Sequence, residues 1–246
     1  MSFTVERAGR FAREALEAGE GEVCAVFRRS FYLRSPGERY ACIGDASLGN
    51  GPLNAIVHDL ALPRAGERIA LALNGAAAWQ PPAPLQGQPN LELLRIAAAR
   101  RIPAEGLGCL VIGKHNALSG HAQPALDALE RWLVGNAIGA EAEQLIGLGP
   151  GLTPSGDDYL GGMLVALRLT GRAMQAEGLW RWLKPRLKTR TSAISAAHLA
   201  AAAAGEGHEA LHRVLAGELD LAALDAVGHT SGWDALAGAV AVVKTY

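Results

Sequence analysis

The chain has little of several things that would narrow its function at once. Its three cysteines, Cys24, Cys42 and Cys109, show no C-x-x-C spacing and lie among apolar, strand-like neighbours, so they read as reduced core residues. Neither sign of charge dominates: 23 Lys plus Arg face 24 Asp plus Glu, which leaves no electrostatic footprint for nucleic acid. No run of about 18 apolar residues suggests a membrane span. The stretch Met1 to Gly19 lacks the basic segment, apolar core and small-residue cleavage site of a secretory signal. Together these absences set the expectation of a cytoplasmic protein with neither nucleic-acid nor membrane partners.

Familiar catalytic motifs are missing too. Gly147-x-Gly149-x-Gly151 lacks the G-x-G-x-x-G spacing of a dinucleotide site, and no lysine between Lys114 and Lys184 could complete a Walker loop. There is no Gly-x-Ser-x-Gly elbow, and Ser155 has no local base. His208 and His212 have the i, i+4 spacing of zinc ligands, but no third ligand is evident, and they read as an exposed helical face.

Of the 246 residues 50% are hydrophobic, enough for one large or two smaller cores. Val5, Ala8, Phe11, Ala12, Ala15 and Leu16 recur at helical spacing and predict an opening helix over 4–18. Short apolar runs follow at 22–28, 31–34, 39–43, 55–59, 68–73 and 76–79, separated by turn clusters such as Ser35-Pro36-Gly37. After a Pro-rich connection at 80–89, Asn90 can cap a helix over 91–101, and 107–112 reads as a strand. Beyond Gly120 the pattern is helical throughout. The expectation is an α+β protein: residues 1–118 a mostly antiparallel β domain, a sandwich or small barrel with its opening helix, and 119–246 an α-helical domain.

The densest chemistry stands at 145–163, where Gly147, Gly149, Gly151 and Gly156 alternate with Pro150, Thr153, Pro154, Ser155 and the adjacent Asp157 and Asp158. Ser155 and Asp158 have the spacing of a capping box at the start of a helix. The free N–H groups and dipole of that helix mouth suit a small anion. Ser155-Gly156-x-Asp158-x-Leu160-x-Gly162 recurs as Ser231-Gly232-x-Asp234-x-Leu236-x-Gly238, which points two capped helices at one polar pocket, with Gly228-His229-Thr230 as its second wall. Thr191 or Ser192 caps an alanine-rich helix over 193–204. Asp157 and Asp158 could hold Mg²⁺ through water, although neighbouring side chains on a helix diverge by about 100°. No other cofactor is indicated.

The string Gly147 to Asp158, with Gly228-His229-Thr230-Ser231-Gly232-Trp233-Asp234 and Gly238, resembles the AllH family, associated with a subunit of oxamate carbamoyltransferase. Gly51-Pro52 and Thr191-Ser192 also fit its pattern. The resemblance implies a multi-subunit transferase of allantoin and purine breakdown that interconverts oxalurate plus phosphate with oxamate plus carbamoyl phosphate. On that reading the chain partners other transferase subunits, and the loop with Gly149, Gly151 and Gly156 binds the phosphate or carboxylate. Thr153, Ser155 and Ser231 donate hydrogen bonds, while Asp157 or His229 assists proton transfer. Asp158, Asp234, Thr191 and Ser192 line the pocket, and Arg190 is the nearest arginine for a phosphate. The residues alone leave two rivals: a metal-dependent hydrolase or phosphotransferase using Asp157 and Asp158, and a noncatalytic assembly subunit.

Overall fold

Gly9 decides how the chain begins. A side chain there would overlap the carbonyl oxygens of Gly51 and Pro52, and its N–H donates to Asn54 O at 3.0 Å. Its extended backbone, φ −71° and ψ 166°, splits the expected opening helix into strand β1 (Val5–Ala8) and helix α1 (Arg10–Glu17). Val5 and Ala8 bury as strand residues and Ala12, Ala15 and Leu16 as helix residues, so one apolar spacing serves two elements. This is a computed structural model, and it describes residues 4–83 and 89–245; the Pro-rich connection expected at 80–89 lies partly outside the described residues. The chain separates into two compact units, 1–81 and 82–246.

Among the described residues the first unit carries one mixed sheet of seven strands ordered β6-β2-β3-β4-β5-β1-β7. They are β1 with β2 (Gly21–Val26), β3 (Ser30–Ser35), β4 (Arg39–Gly44), β5 (Asn54–Val57), β6 (Arg68–Ile69) and β7 (Ala77–Ala78). The β3–β4 turn is tight because Gly37 and Glu38 take φ of +77° and +54°. Alternating Phe31 and Leu33, Ala41 and Ile43, and Ala55 and Val57 share one core with Ala12, Ala15 and Leu16 of α1. The expectation of a sandwich or small barrel is corrected. Residues 45–53 form a crossover that sets β5 parallel to β4, and β7 lies parallel to β1, so the strands continue one sheet instead of folding over it.

The second unit is helical: α2 (Leu91–Ala98), α3 (Ala117–Leu133), α4 (Ser155–Leu169), α5 (Ala173–Arg190), α6 (Ala193–Ala203), α7 (Glu209–Leu215), α8 (Ala222–Asp225) and α9 (Ser231–Val243). Asn90 caps α2 as expected, accepting from Glu92 N and Leu93 N. The strand expected at 107–112 is a 3-10 turn over Gly108–Ile112. Leu94, Ala98, Leu107 and Val111 bury in the same core as α3 and α4, so 94–111 packs with the helices, and the contact boundary falls at 81, not near 118. α3 starts earlier than its apolar pattern, because Asn116 and Ser119 form a capping box and Pro124 is carried inside the helix. At the centre runs α4, whose Leu160, Met163, Leu164 and Leu167 are all fully buried. No described helix is long and apolar enough to cross a membrane.

Candidate functional site

The repeated Ser-Gly-x-Asp strings form a reciprocal pair in space. A side chain on Gly162 of α4 would overlap the carbonyl oxygen of Ala235 of α9, and one on Gly238 of α9 would overlap that of Tyr159 of α4. Equivalent positions of the two repeats thus meet, which is the contact pattern of a two-fold axis. It extends into the preceding turns: Gly156 N donates to Leu148 O at 2.9 Å, and Gly232 N to Val227 O at 3.2 Å. Between these turns and the helices the first copy inserts a longer loop; its Gly149 and Gly151, and Gly147 in the turn before it, have positive φ, of 110°, 96° and 75°.

The expected capping boxes are absent, for a local reason. Helix α4 begins at Ser155 itself, and the first-turn N–H groups are already taken: Gly156 by Leu148 O, and Asp157 and Asp158 by Pro154 O. The hydroxyls and acids pair across the axis instead. Ser155 acts on Asp234, and Ser231 on Asp158, in each case stabilising the charged carboxylate. Ser231 also lies 3.1 Å from the Thr153 hydroxyl, and Thr153 acts on Asp158 in turn.

Three carboxyls therefore gather at two helix mouths, in different states of satisfaction. Asp157, 1% exposed, accepts from Gly147 N at 2.9 Å, from Ser195 Oγ at 2.7 Å, and from the Thr191 hydroxyl. It ties the glycine loop to the start of α6. Asp234 is fully buried and accepts from Leu107 N at 2.5 Å, Gly108 N at 3.1 Å and Thr230 Oγ1 at 2.8 Å. In both, burial pushes the acid above its ordinary range and these donors pull it back. Asp158 is pushed well above that range, first by burial and then by the charges of Asp234 and Asp157. Its Oδ2 is buried and has no hydrogen-bond partner among the described residues. Among the described residues, none of the groups that act most strongly on these three acids is a lysine or arginine.

Several expected site residues lie elsewhere or do other work. Arg190 sits at the end of α5 and pairs with Glu143 at 2.6 Å, a carboxylate it shares with Arg186. His229 is 82% exposed and meets Glu105 at 2.8 Å. Ser192 is the N-cap of α6, accepting from Ser195 N at 2.9 Å while donating to Leu152 O at 2.5 Å. The reading of His208 and His212 as an exposed face is corrected. His208 caps α7, and His212 is buried, with Nε2 accepting from Gly207 N at 3.0 Å and its pKa pushed down to about 4 by burial. Asp157 and Asp158 face different partners, and among the described residues no three His, Cys, Asp or Glu side chains are grouped to hold a metal ion.

Sequence reasoning missed Ser195 and the backbone N–H groups of Leu107 and Gly108. Ser195 carried a faint signal, as a hydroxyl on the first turn of an alanine-rich helix. Leu107 and Gly108 carried none, since an apolar pair gives no sign that its backbone will serve a carboxylate far along the chain.

Compared with known families, residues 145–243 match the model for oxamate carbamoyltransferase subunit AllH. The match takes in both Ser-Gly-x-Asp helices and everything between them, a narrower span than the resemblance in the sequence implied. No curated protein and no solved structure matches.

Proposed function

We propose that the chain serves as an AllH-type subunit of an oxamate carbamoyltransferase, working in the cytoplasm with other subunits in allantoin breakdown. The observation that carries this reading is the family match, which spans the crossed pair α4 and α9 and the glycine loop that feeds the first of them. The geometry agrees with such a role, because the span places hydroxyls and a partly satisfied carboxyl together at one pair of helix mouths.

In the reaction a phosphate oxygen attacks the ureido carbonyl carbon of oxalurate, the carbon–nitrogen bond breaks, and the proton lost by phosphate ends on the leaving nitrogen. The products are carbamoyl phosphate and oxamate. Two tasks fall to the protein: holding an anionic end and stabilising charge on the carbonyl oxygen. We assign the anionic end to the loop crest around Gly149, Gly151 and Thr153, where positive-φ glycines leave backbone open to a ligand. The Thr153 and Ser231 hydroxyls are turned to Asp158, so the donors for this anion are the backbone N–H groups of the loop. Asp157 and Asp234, with their acceptors filled, hold the frame. The filled acceptors of Asp157, and the different partners of Asp157 and Asp158, also disfavour a Mg²⁺ shared by those two acids and the hydrolase reading built on it.

The test is to assay phosphorolysis of oxalurate by the purified chain, alone and mixed with the subunits encoded beside it. Activity that requires this chain and falls on Thr153→Val supports the reading. Activity of the other subunits without it would make it an assembly component.

A further inference from the structure

The two-fold relation of α4 and α9 makes Asp158 and Asp234 equivalent, yet the protein completes only one of them. Each is served by the hydroxyl of the other repeat's serine, Ser231 for Asp158 and Ser155 for Asp234. At Asp234, Oδ1 also accepts two adjacent backbone N–H groups, from Leu107 at 2.5 Å and Gly108 at 3.1 Å. At Asp158 no such pair is supplied, and Oδ2 is left buried without a partner among the described residues. A buried carboxyl oxygen in that state loses water without replacing it, which folded proteins seldom tolerate unless something else fills the place. Thr153 and Ser231 beside it are only half-buried, so the cluster reaches the surface. What would fit is set by charge. Asp157 and Asp234 act on Asp158 with like charge, and no Lys or Arg of the described residues is among the groups that act on it most, so a further anion is disfavoured there, whereas a neutral group carrying N–H donors is not.

We propose that Asp158 Oδ2 is a binding site for the –NH2 of a carboxamide or carbamoyl group, whose N–H groups take the place that Leu107 and Gly108 fill at Asp234. The proposal deepens the transferase reading and rests on it for the choice of ligand. It divides the site, with the anionic end of the substrate on the glycine loop and the amide end on Asp158.

Oxamate and oxalate test it, because they have the same size and differ only in carrying an amide or a second carboxylate. Calorimetric titration of the full chain is expected to show oxamate binding at least about tenfold more tightly than oxalate. Asp158→Asn presents N–H donors in place of a carboxylate and is expected to reverse that preference, with circular dichroism confirming the fold. The comparison on the unsubstituted chain needs no variant and stands if the variant misfolds. Equal or tighter binding of oxalate, binding of neither, or an unchanged preference in a folded Asp158→Asn chain would each overturn the proposal. Oxamate preference without phosphorolysis of oxalurate would instead remove the transferase reading and leave this site in place.

Discussion

Asp157 is the residue whose loss should cost the most. Removing it with Asp157→Ala strands Gly147 N–H and the hydroxyls of Thr191 and Ser195, three donors that share one buried acceptor group. Each unsatisfied buried group costs about 1–3 kcal/mol, so urea unfolding should show a loss of about 3 kcal/mol or more, with Asp157→Asn milder. An equal loss in both variants would mean that charge, not hydrogen bonding, holds the loop. The sequence grouped Asp157, Asp158, Thr153, Ser155 and Ser231 as one polar pocket, and of these Thr153, Ser231 and Asp158 meet one another. Their partners were not legible, because a Ser-x-x-Asp spacing predicts a cap within one helix and gives no sign that two such helices will exchange their acids. His229 shows the converse: proximity in sequence to the second helix mouth did not prevent its ring from turning to Glu105 on the surface.

Among the elements, α4 and α9 depend on having no side chain where they cross. Gly162→Ala and Gly238→Ala each push a methyl into a backbone carbonyl, which cannot move aside as a flexible side chain would. Each should destabilise by at least about 1–3 kcal/mol, seen in thermal melting. Gly178→Ala in α5 meets nothing within 4 Å and should stabilise by roughly 0.5–1 kcal/mol, the helical advantage of alanine over glycine. If all three variants behaved alike, the close crossing would be refuted. Elements with both a cap and an apolar face, α2 behind Asn90 and α6 behind Ser192, were readable in advance. The opening helix was not, since its break depends on Gly9 lying against Gly51 and Pro52, a contact between distant segments. The 3-10 turn at Gly108–Ile112 was missed for a related reason: a short apolar run reads alike as a strand or a buried turn, and packing against Trp233 decides.

For the whole molecule, pH should act through His198, His212 and the carboxyl cluster, with opposite signs. His198 and His212 are held neutral, with pKa values pushed from 6.5 to about 4 mainly by burial. The unfolded chain therefore binds protons that the folded chain refuses, and stability falls as pH drops from 6.5 towards 4. For His212, 1% exposed, the loss is on the order of 2–3 kcal/mol by the lower end of that range. Asp157, Asp158 and Asp234 have raised pKa values, so their burial is least costly below 3.8 and the associated stability is lost as pH rises through the folded values. Urea midpoints measured between pH 7.5 and 4.5 should decline, and His212→Gln should flatten the decline; an unchanged slope would show that His212 takes no part. The α+β class was legible from the shift from short strand runs to helical spacing. How the strands joined into one mixed sheet was not, because parallel pairing of β4 with β5 depends on a crossover and not on either strand's pattern. The central claim is that carbamoyl transfer meets this chain at Asp158. Its most direct test is the rate of carbamoyl transfer from carbamoyl phosphate to oxamate by the assembled subunits carrying Asp158→Asn. Assembly unchanged and kcat/KM for oxamate lowered by about 100-fold, the scale of a lost positioned polar group in the transition state, is the expected result; full activity in the assembled variant would contradict it.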